Sequence, residues 1–413
     1  MSDAPALTEP QRKRAIAFLF AVVLIDMIGF GIVMPVLPQL IMHLGSIPVD
    51  KAALWAGWLG AGYAAMQFVF APILGNLSDR FGRRPVLLAA LLGFGIDYIV
   101  MGFAPSIWWL VVGRFFAGIT GASFSAAYAY LADITPPEKR AQSFGTIGMA
   151  FGFGFILGPA IGGFLGEWGP RIPFYAAGGL ALVNFVFGYF FLAESLPEER
   201  RRPFRLARAN AFSALKALSG QSPTVLWFVA ALALWQLAHL VYPSVWAYFA
   251  IAAYGWSEWK IGLSLMMVGV TSALVQGFGL RLLIPRLGER GAVALGVASV
   301  CAAAFVYSVA WNDWIVFAGI VVGGLQGLIM PSINALNSKA VDASSQGELQ
   351  GATQAVGSLA AIVGPPFYTI LFARFTGEDA IVHFPAIPLV ASALIALVML
   401  GIFAFATRKL DAN

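Results

Sequence analysis

The chain has 413 residues, 60% hydrophobic and only 11% charged, with a mean hydropathy of +0.81, whereas a soluble globular protein is nearer half apolar and a quarter charged. The apolar residues come in long unbroken runs of the length that crosses a ~30 Å hydrocarbon layer as a ~20-residue helix, which excludes a water-soluble domain. The net charge of +5 and pI near 9.3 would suit a nucleic-acid partner, but the positions of the cations exclude one, and the single cysteine, Cys301, excludes an internal disulfide or a cysteine-based metal cluster.

In chain order, "QRKR" at residues 11–14 precedes an apolar run too long for a signal-peptide core, with no convincing small-residue cleavage site, so it is read as a retained first span. Spans are predicted at 15–42, 52–76, 85–104, 107–131, 141–166 and 172–193, then 223–252, 258–284, 291–310, 314–338, 347–373 and 382–406. They are helices, because barrel strands would show ten-residue alternating segments instead. The fold class expected is therefore an all-α membrane protein of twelve transmembrane helices.

Assigning the loops alternately to two sides puts 20 of the 25 Lys and Arg on the side of both termini. They include Arg12 to Arg14, Arg80 to Arg84, Lys139–Arg140 and Arg281 to Arg290. Lys51, Arg171, Lys260 and Arg374 lie opposite, and Arg114 lies within a span. The positive-inside rule then places both ends in the cytoplasm, and the basic pI is an insertion signal. The longest polar interruption, Glu194 to Pro223, carries a block of arginines and divides the chain into a bundle at 1–194, a cytoplasmic connector at 195–222 and a bundle at 223–413.

The halves repeat at a constant offset of 206 residues: Gly82 meets Gly288, Arg84 meets Arg290, Trp108 meets Trp314, and Gly158–Pro159 meets Gly364–Pro365. Two pseudo-symmetric six-helix bundles joined by a cytoplasmic loop are a transporter plan, with the substrate site between them near the midplane.

The loop between spans two and three reads "GNLSDRFGRRPVLL". Its cations could serve only to fix topology. Yet Gly75 permits close helix approach, Asp79 offers a carboxylate for a helix N-terminus, Gly82 permits a tight turn, and Arg80, Arg83 and Arg84 could form a charge network that locks one closed state. On these residues the chain resembles the major facilitator superfamily, whose cytoplasmic signature is matched at Gly75, Asp79, Arg80, Gly82, Arg83 and Arg84; the second copy, from Arg281, has Pro285 in place of the aspartate. "GRFFAGITGASFSAAYAYLADI" (113–134) resembles the fourth helix of proton-coupled drug antiporters, with Arg114 as its buried cation. "GFGFILGPAIGG" (152–163) resembles their fifth-helix motif, built around Gly158–Pro159. With "IDMIGFGIVMPVLP", "GFGIDYIVMGFAP", "GWSEWKIGLSL" and "SSQGELQG" the chain is similar to the tetracycline-exporter branch.

Asp26, Asp97 and Arg114 are the clear charges inside spans. An ionised carboxylate at a helix centre costs about 2.5–3.5 kcal/mol, so three chance occurrences are not expected. At ~1.5 Å per residue, Asp26 lies about 16 Å and Asp97 about 18 Å from the inner end, with Arg114 about 20 Å from the same side. All three are at one height and could meet. Loss of water disfavours an ionised carboxylate and a close arginine favours it, so an aspartate alternately near and away from Arg114 is a proton-coupling device; a static structural ion pair of Asp26 with Arg114 is the plainer alternative. Asp97 is weighed less, because third helices of this fold tend to pack on the bundle's outside.

Spans seven to twelve hold no clear central acid. Their polar candidates for binding substrate are Gln236, His239, Gln276, Gln326, Asn334 and Asn337, with Trp235, Tyr242, Trp246 and Tyr248 as rings able to stack on a flat ligand or cation. A neutral His239 bonded to a neighbour is the plainer alternative to a titrating one. Family members that carry a magnesium–drug chelate have a further acid in span nine, where this chain has Ser299 or Val300, so a metal–drug cargo is not implied.

The resemblance implies a proton-driven antiporter of the inner (plasma) membrane, acting as a monomer and exporting a hydrophobic or amphipathic small molecule, with a tetracycline-like drug among the candidates. Its proton coupling is assigned to Asp26, Asp97 and Arg114, and its gating to the signature loop and Gly158–Pro159. A symporter importing a metabolite or organic anion and a non-transporting membrane receptor are the rivals. No nucleophile–base pair, clustered metal ligands or ATP-binding "GxxxxGK[ST]" is present, so neither an enzyme nor a cofactor is expected, and the proton gradient supplies the energy.

Overall fold

A computed structural model describes residues 9–121, 124–204, 221–339 and 346–412. The predicted connector and the "SSQGELQG" stretch fall partly outside the described residues. The first half consists of α1 (Glu9–Val33), α2 (Leu37–Gly45), α3 (Val49–Phe81), α4 (Arg83–Gly102), α5 (Ile107–Gly121), α6 (Phe124–Ile134), α7 (Arg140–Gly166) and α8 (Ile172–Phe191). The second comprises α9 (Pro223–His239), α10 (Val241–Tyr254), α11 (Glu258–Leu274), α12 (Leu280–Val309), α13 (Asp313–Gly323), α14 (Ile329–Lys339), α15 (Gln346–Thr376) and α16 (Ile387–Ala412). A π-helical turn, Val275–Gly279, joins α11 to α12, and a 3₁₀ segment, Gly324–Leu328, joins α13 to α14.

Among the described residues, eleven stretches are long and apolar enough to span, and one of them, Glu258–Val309, runs for 52 residues. At ~1.5 Å per residue that is about twice what one crossing requires. The run breaks at Gly288, with φ +68°, so it makes two crossings and the total is twelve. Gly82 takes φ +103° at the matching place in the first half. Both are loop glycines of the repeat, and both use backbone geometry that a Cβ would strain.

Prolines account for the misplaced boundaries. The first crossing, expected at 15–42, is interrupted between α1 and α2 at Pro35, which lacks the N–H that would continue the helix. The last, expected from 382, starts at Ile387, after Pro385 and with Pro388 in its first turn.

Glycines set how the helices cross. A Cβ on Gly158 would lie 2.7 Å from the Cα of Gly31 on α1, and one on Gly31 would lie 2.8 Å from Pro159 Cδ. Gly154 and Gly162 meet α1 backbone in the same way, one turn to either side. The opposite edge of α7 carries Gly163, whose Cβ would sit 3.0 Å from Gly262 of α11. In the second seam between halves, Gly57 and Gly60 of α3 lie against Pro365 and Thr369 of α15. Both seams lie at the end that bears the start of α3 and the end of α7. At the other end the halves part: Gly145, Gly148, Gly152 and Gly277 have no atom within 4 Å of an added Cβ.

Candidate functional site

The space between the halves is a cavity in two connected compartments. The wider one, about 1190 Å³, opens toward the end with the basic loops and is lined by Asp26, Tyr63, Gln67, Tyr98, Gly145 and Gly148, among others. The deeper one, about 560 Å³, is lined by Trp235, Gln236, His239, Tyr242, Gln326 and Asn334, among others. Phe30, Phe155, Ser272 and Gln276 line both. Phe30 lies one helical turn, about 6 Å, beyond Asp26 on α1, so the carboxylate stands beside the passage between compartments.

The three intramembrane charges are partly brought together. Asp26 is half-buried and faces the wider compartment. Asp97 is 2% exposed, packed on Gly113 of α5, with both carboxylate oxygens buried and without a hydrogen-bond partner. The third helix thus turns its acid into the bundle, contrary to the expectation of an outward position. Arg114 acts electrostatically on Asp97, although its Nη2 donates to Met101 Sδ at 3.2 Å. The static pair considered for Asp26 with Arg114 is not what forms, because Arg114 enters from α5 on the side of α4, away from the cavity wall. Tyr63 and Tyr98 lie within the fields of all three charges and line the cavity beside Asp26. Neither was singled out in the sequence, yet Tyr63 and Gln67 stand four residues apart in an apolar run, a polar stripe on one helical face.

In the second half, Trp235, His239, Tyr242 and Trp246 fall on one face of α9 and α10, with successive ring centroids 5.6, 5.9 and 6.5 Å apart. His239 is exposed to the cavity, and its Nδ1 meets Gln326 Oε1 at 3.2 Å, so the imidazole is bonded to a neighbour. Two expected residues stand outside the lining. Asn337 is 2% exposed with Oδ1 unpartnered; it follows Asn334 by one turn on the same face but lies past the last lining residue of α14. Tyr248 is buried, with its hydroxyl unpartnered. Ser299 and Val300 are buried away from the cavity.

The signature loop forms a network inside the first half. Arg83 Nη1 pairs with Asp79 Oδ1 at 2.6 Å and donates to Ser78 Oγ at 2.6 Å, while its Nε reaches Asp133 Oδ2 at 3.1 Å. Ser78 Oγ donates to the Gly75 carbonyl at 2.7 Å. Arg84 Nη2 donates to the Tyr189 carbonyl at 2.6 Å, and Arg80 stacks 4.9 Å above Phe81. The carboxylate at the α4 N-terminus is not Asp79, whose partner is Arg83, but Glu194: its Oε1 accepts from Arg83 N at 2.8 Å and its Oε2 from Arg84 N at 3.2 Å. A Cβ on Gly82 would strike this carboxylate. Neither Glu194 nor Asp133 was singled out in the sequence as a partner of the loop; they stand 111 and 50 residues from the arginine they serve. Replacing Glu194 by alanine is expected to remove about 1–2 kcal/mol of local stability, read as faster hydrogen exchange over residues 83–88 and a lower melting temperature.

Helices that cross a membrane twelve times, around a polar-lipped cavity shut at one face and open at the other, define a membrane transporter. The Major Facilitator Superfamily profile matches residues 19–365. The chain is 40% identical to the tetracycline resistance protein, class C, of Escherichia coli, over 87% of this chain and 90% of that one, and 37% identical to the class G protein of Vibrio anguillarum, over 89% and 92%. Its backbone is similar to the crystal structure of the human organic anion transporter MFSD10 (TETRAN), with a TM-score of 0.68, 22% identity and coverage of 96% and 100%. The chain belongs to the Major Facilitator Superfamily of membrane transporters and is related to the tetracycline resistance proteins; it is not an enzyme.

Proposed function

We propose that the chain is a proton-coupled antiporter of the inner (plasma) membrane that exports a hydrophobic or amphipathic small molecule from the cytoplasm, with both termini cytoplasmic and the bundles 1–194 and 223–413 rocking about the cavity. The observation that carries this reading is that Asp26 is the one carboxylate among the described residues that line the cavity. With the outer face open, Asp26 takes a proton. With the inner face open, as here, it releases the proton and substrate enters. Asp97 and Arg114, beside Tyr63 and Tyr98, set the field in which this exchange occurs. Trp235, Gln236, His239, Gln326 and Asn334 contact the substrate, and Asn337 supports them from behind.

Arg83, held by Asp79 and Asp133, and Arg84 act as the inner latch when the halves close, with Arg80, Gly75 and Gly82 shaping its loop. Gly158–Pro159 is the pivot between α1 and α11. The relatives' names support a drug-like cargo, with tetracycline one candidate. Purified protein in liposomes tests the reading: an imposed pH gradient is expected to drive labelled candidates opposite to the protons, and substrate moving with the protons would replace antiport by symport.

A further inference from the structure

The deeper compartment has a chemical bias that the proposed function does not use. Among the described residues lining it there is no Asp, Glu, Lys or Arg; its polar groups are amides, hydroxyls, indole N–H groups and one imidazole. That imidazole ends α9, where the helix breaks before Val241, and it lies between Trp235 (5.6 Å, planes 34° apart) and Tyr242 (5.9 Å, 60°). Gln326, on the 3₁₀ segment opposite, approaches His239 Nδ1 with its amide oxygen at 3.2 Å. An amide oxygen only accepts, so the tautomer that makes this bond is the one with Nδ1–H, and a neutral imidazole of that form has a lone pair on Nε2. Nε2 has no protein partner among the described residues.

We infer that His239 Nε2, oriented by Gln326, accepts a hydrogen bond from the substrate, and that the compartment selects flat aromatic molecules bearing an O–H or N–H donor at the ring edge. The ring of Tyr242, half-buried on the compartment wall, receives the flat face by offset or edge contact; Trp235, 4% exposed, backs the imidazole, and the imidazole reads the edge. A cargo of this class needs no divalent metal, and the described residues hold no cluster of three His, Cys, Asp or Glu able to bind one. A molecule of the same shape without the donor leaves Nε2 desolvated and unpaired, and sites built around a hydrogen bond reject such analogues most strongly. Gln326 is a positioning residue, because it acts through the imidazole.

The inference rests on reading the cavity as the substrate site, and its test needs no proton gradient. Equilibrium dialysis on full-length protein in nanodiscs compares 1-naphthol with 1-methoxynaphthalene, which has the same ring but no donor, in the presence of a chelator. The wild type is expected to favour naphthol by about tenfold. His239→Phe keeps a ring in the ladder and removes the acceptor, so both probes should bind equally; Gln326→Leu, which frees the tautomer, should reduce the ratio to within about twofold. A wild-type ratio near one, a ratio that survives His239→Phe, or no binding of either probe overturns the inference. A preserved ratio in a protein that exchanges nothing for protons would instead overturn the antiport reading alone.

Discussion

Asp26→Asn is expected to reduce pH-gradient-driven transport to the level of empty liposomes while leaving the protein folded. Asparagine has the same shape, stays neutral and fits a half-buried position on the cavity wall, so the helix loses no packing and no ion pair. What it loses is the ability to carry charge in one state and none in the other. Substrate exchange down its own gradient, which needs no net proton movement, should persist and become independent of pH, and this separates lost coupling from lost binding. Asp97→Asn should behave differently. Asp97 does not line the cavity but lies buried within the field of Arg114, and removing a carboxylate from the neighbourhood of a buried cation leaves that cation less compensated. Its main effect should therefore be a lower melting temperature. The decisive measurement is proton release on substrate addition: it should vanish in the Asp26 variant, and its survival there would transfer the coupling role to another group.

That Asp26 lies at mid-membrane depth was legible in the sequence because helical rise fixes depth; that it faces the cavity and not lipid depends on how α1 packs against its neighbours. The same arithmetic brought Asp97 and Arg114 to one height but left their directions open, since direction depends on how α4 and α5 pack. Gly113 settles this by leaving room for the Asp97 carboxylate. Gln236, His239, Gln326 and Asn334 were found as polar residues in apolar runs, and all four line the deeper compartment. Asn337 satisfied the same rule and the same helical phase, but lies one turn beyond the last lining residue of its helix. The partners of Arg83 were not legible, because nothing in the local pattern marks Asp133, at the end of α6, or Glu194, past the end of α8, as its partner until the bundle brings the ends of the fourth and sixth crossings beside the start of α4. The Gly82–Gly288 repeat was read from punctuation alone, and both glycines take positive φ, the geometry for which the residue type is needed. Which end of the cavity is shut could not be read from the sequence at all: it depends on backbone meeting backbone across the two halves.

That closed end yields the second large effect. Gly163→Leu is expected to abolish transport by holding the outer face open. A Cβ at this position would lie 2.5 Å from the Glu258 carbonyl and 3.0 Å from Gly262 Cα, and neither backbone group can rotate away. Beside it, Glu167 Oε1 accepts from Trp259 N at 3.2 Å, a carboxylate of one half seated on the first turn of a helix of the other. Overpacking of this kind costs about 1–3 kcal/mol, and the two states of such a transporter differ by only a few kcal/mol. A penalty of about 3 kcal/mol on the outer-closed state alone therefore shifts the balance more than about hundredfold. The first half should keep its fold, because α7 meets α1 through a different row, Gly154, Gly158 and Gly162. Spin labels at Ser106 and Ile381, in the loops of the two halves at the closed end, should show a longer separation in the variant, whereas Gly179→Leu, at a position whose added Cβ meets nothing within 4 Å, should leave both distance and transport as they are. An unchanged distance in Gly163→Leu, with transport intact, would mean that the seam between α7 and α11 yields under load and that closure is set instead by α3 against α15, where Gly57 and Gly60 would be the next residues to enlarge.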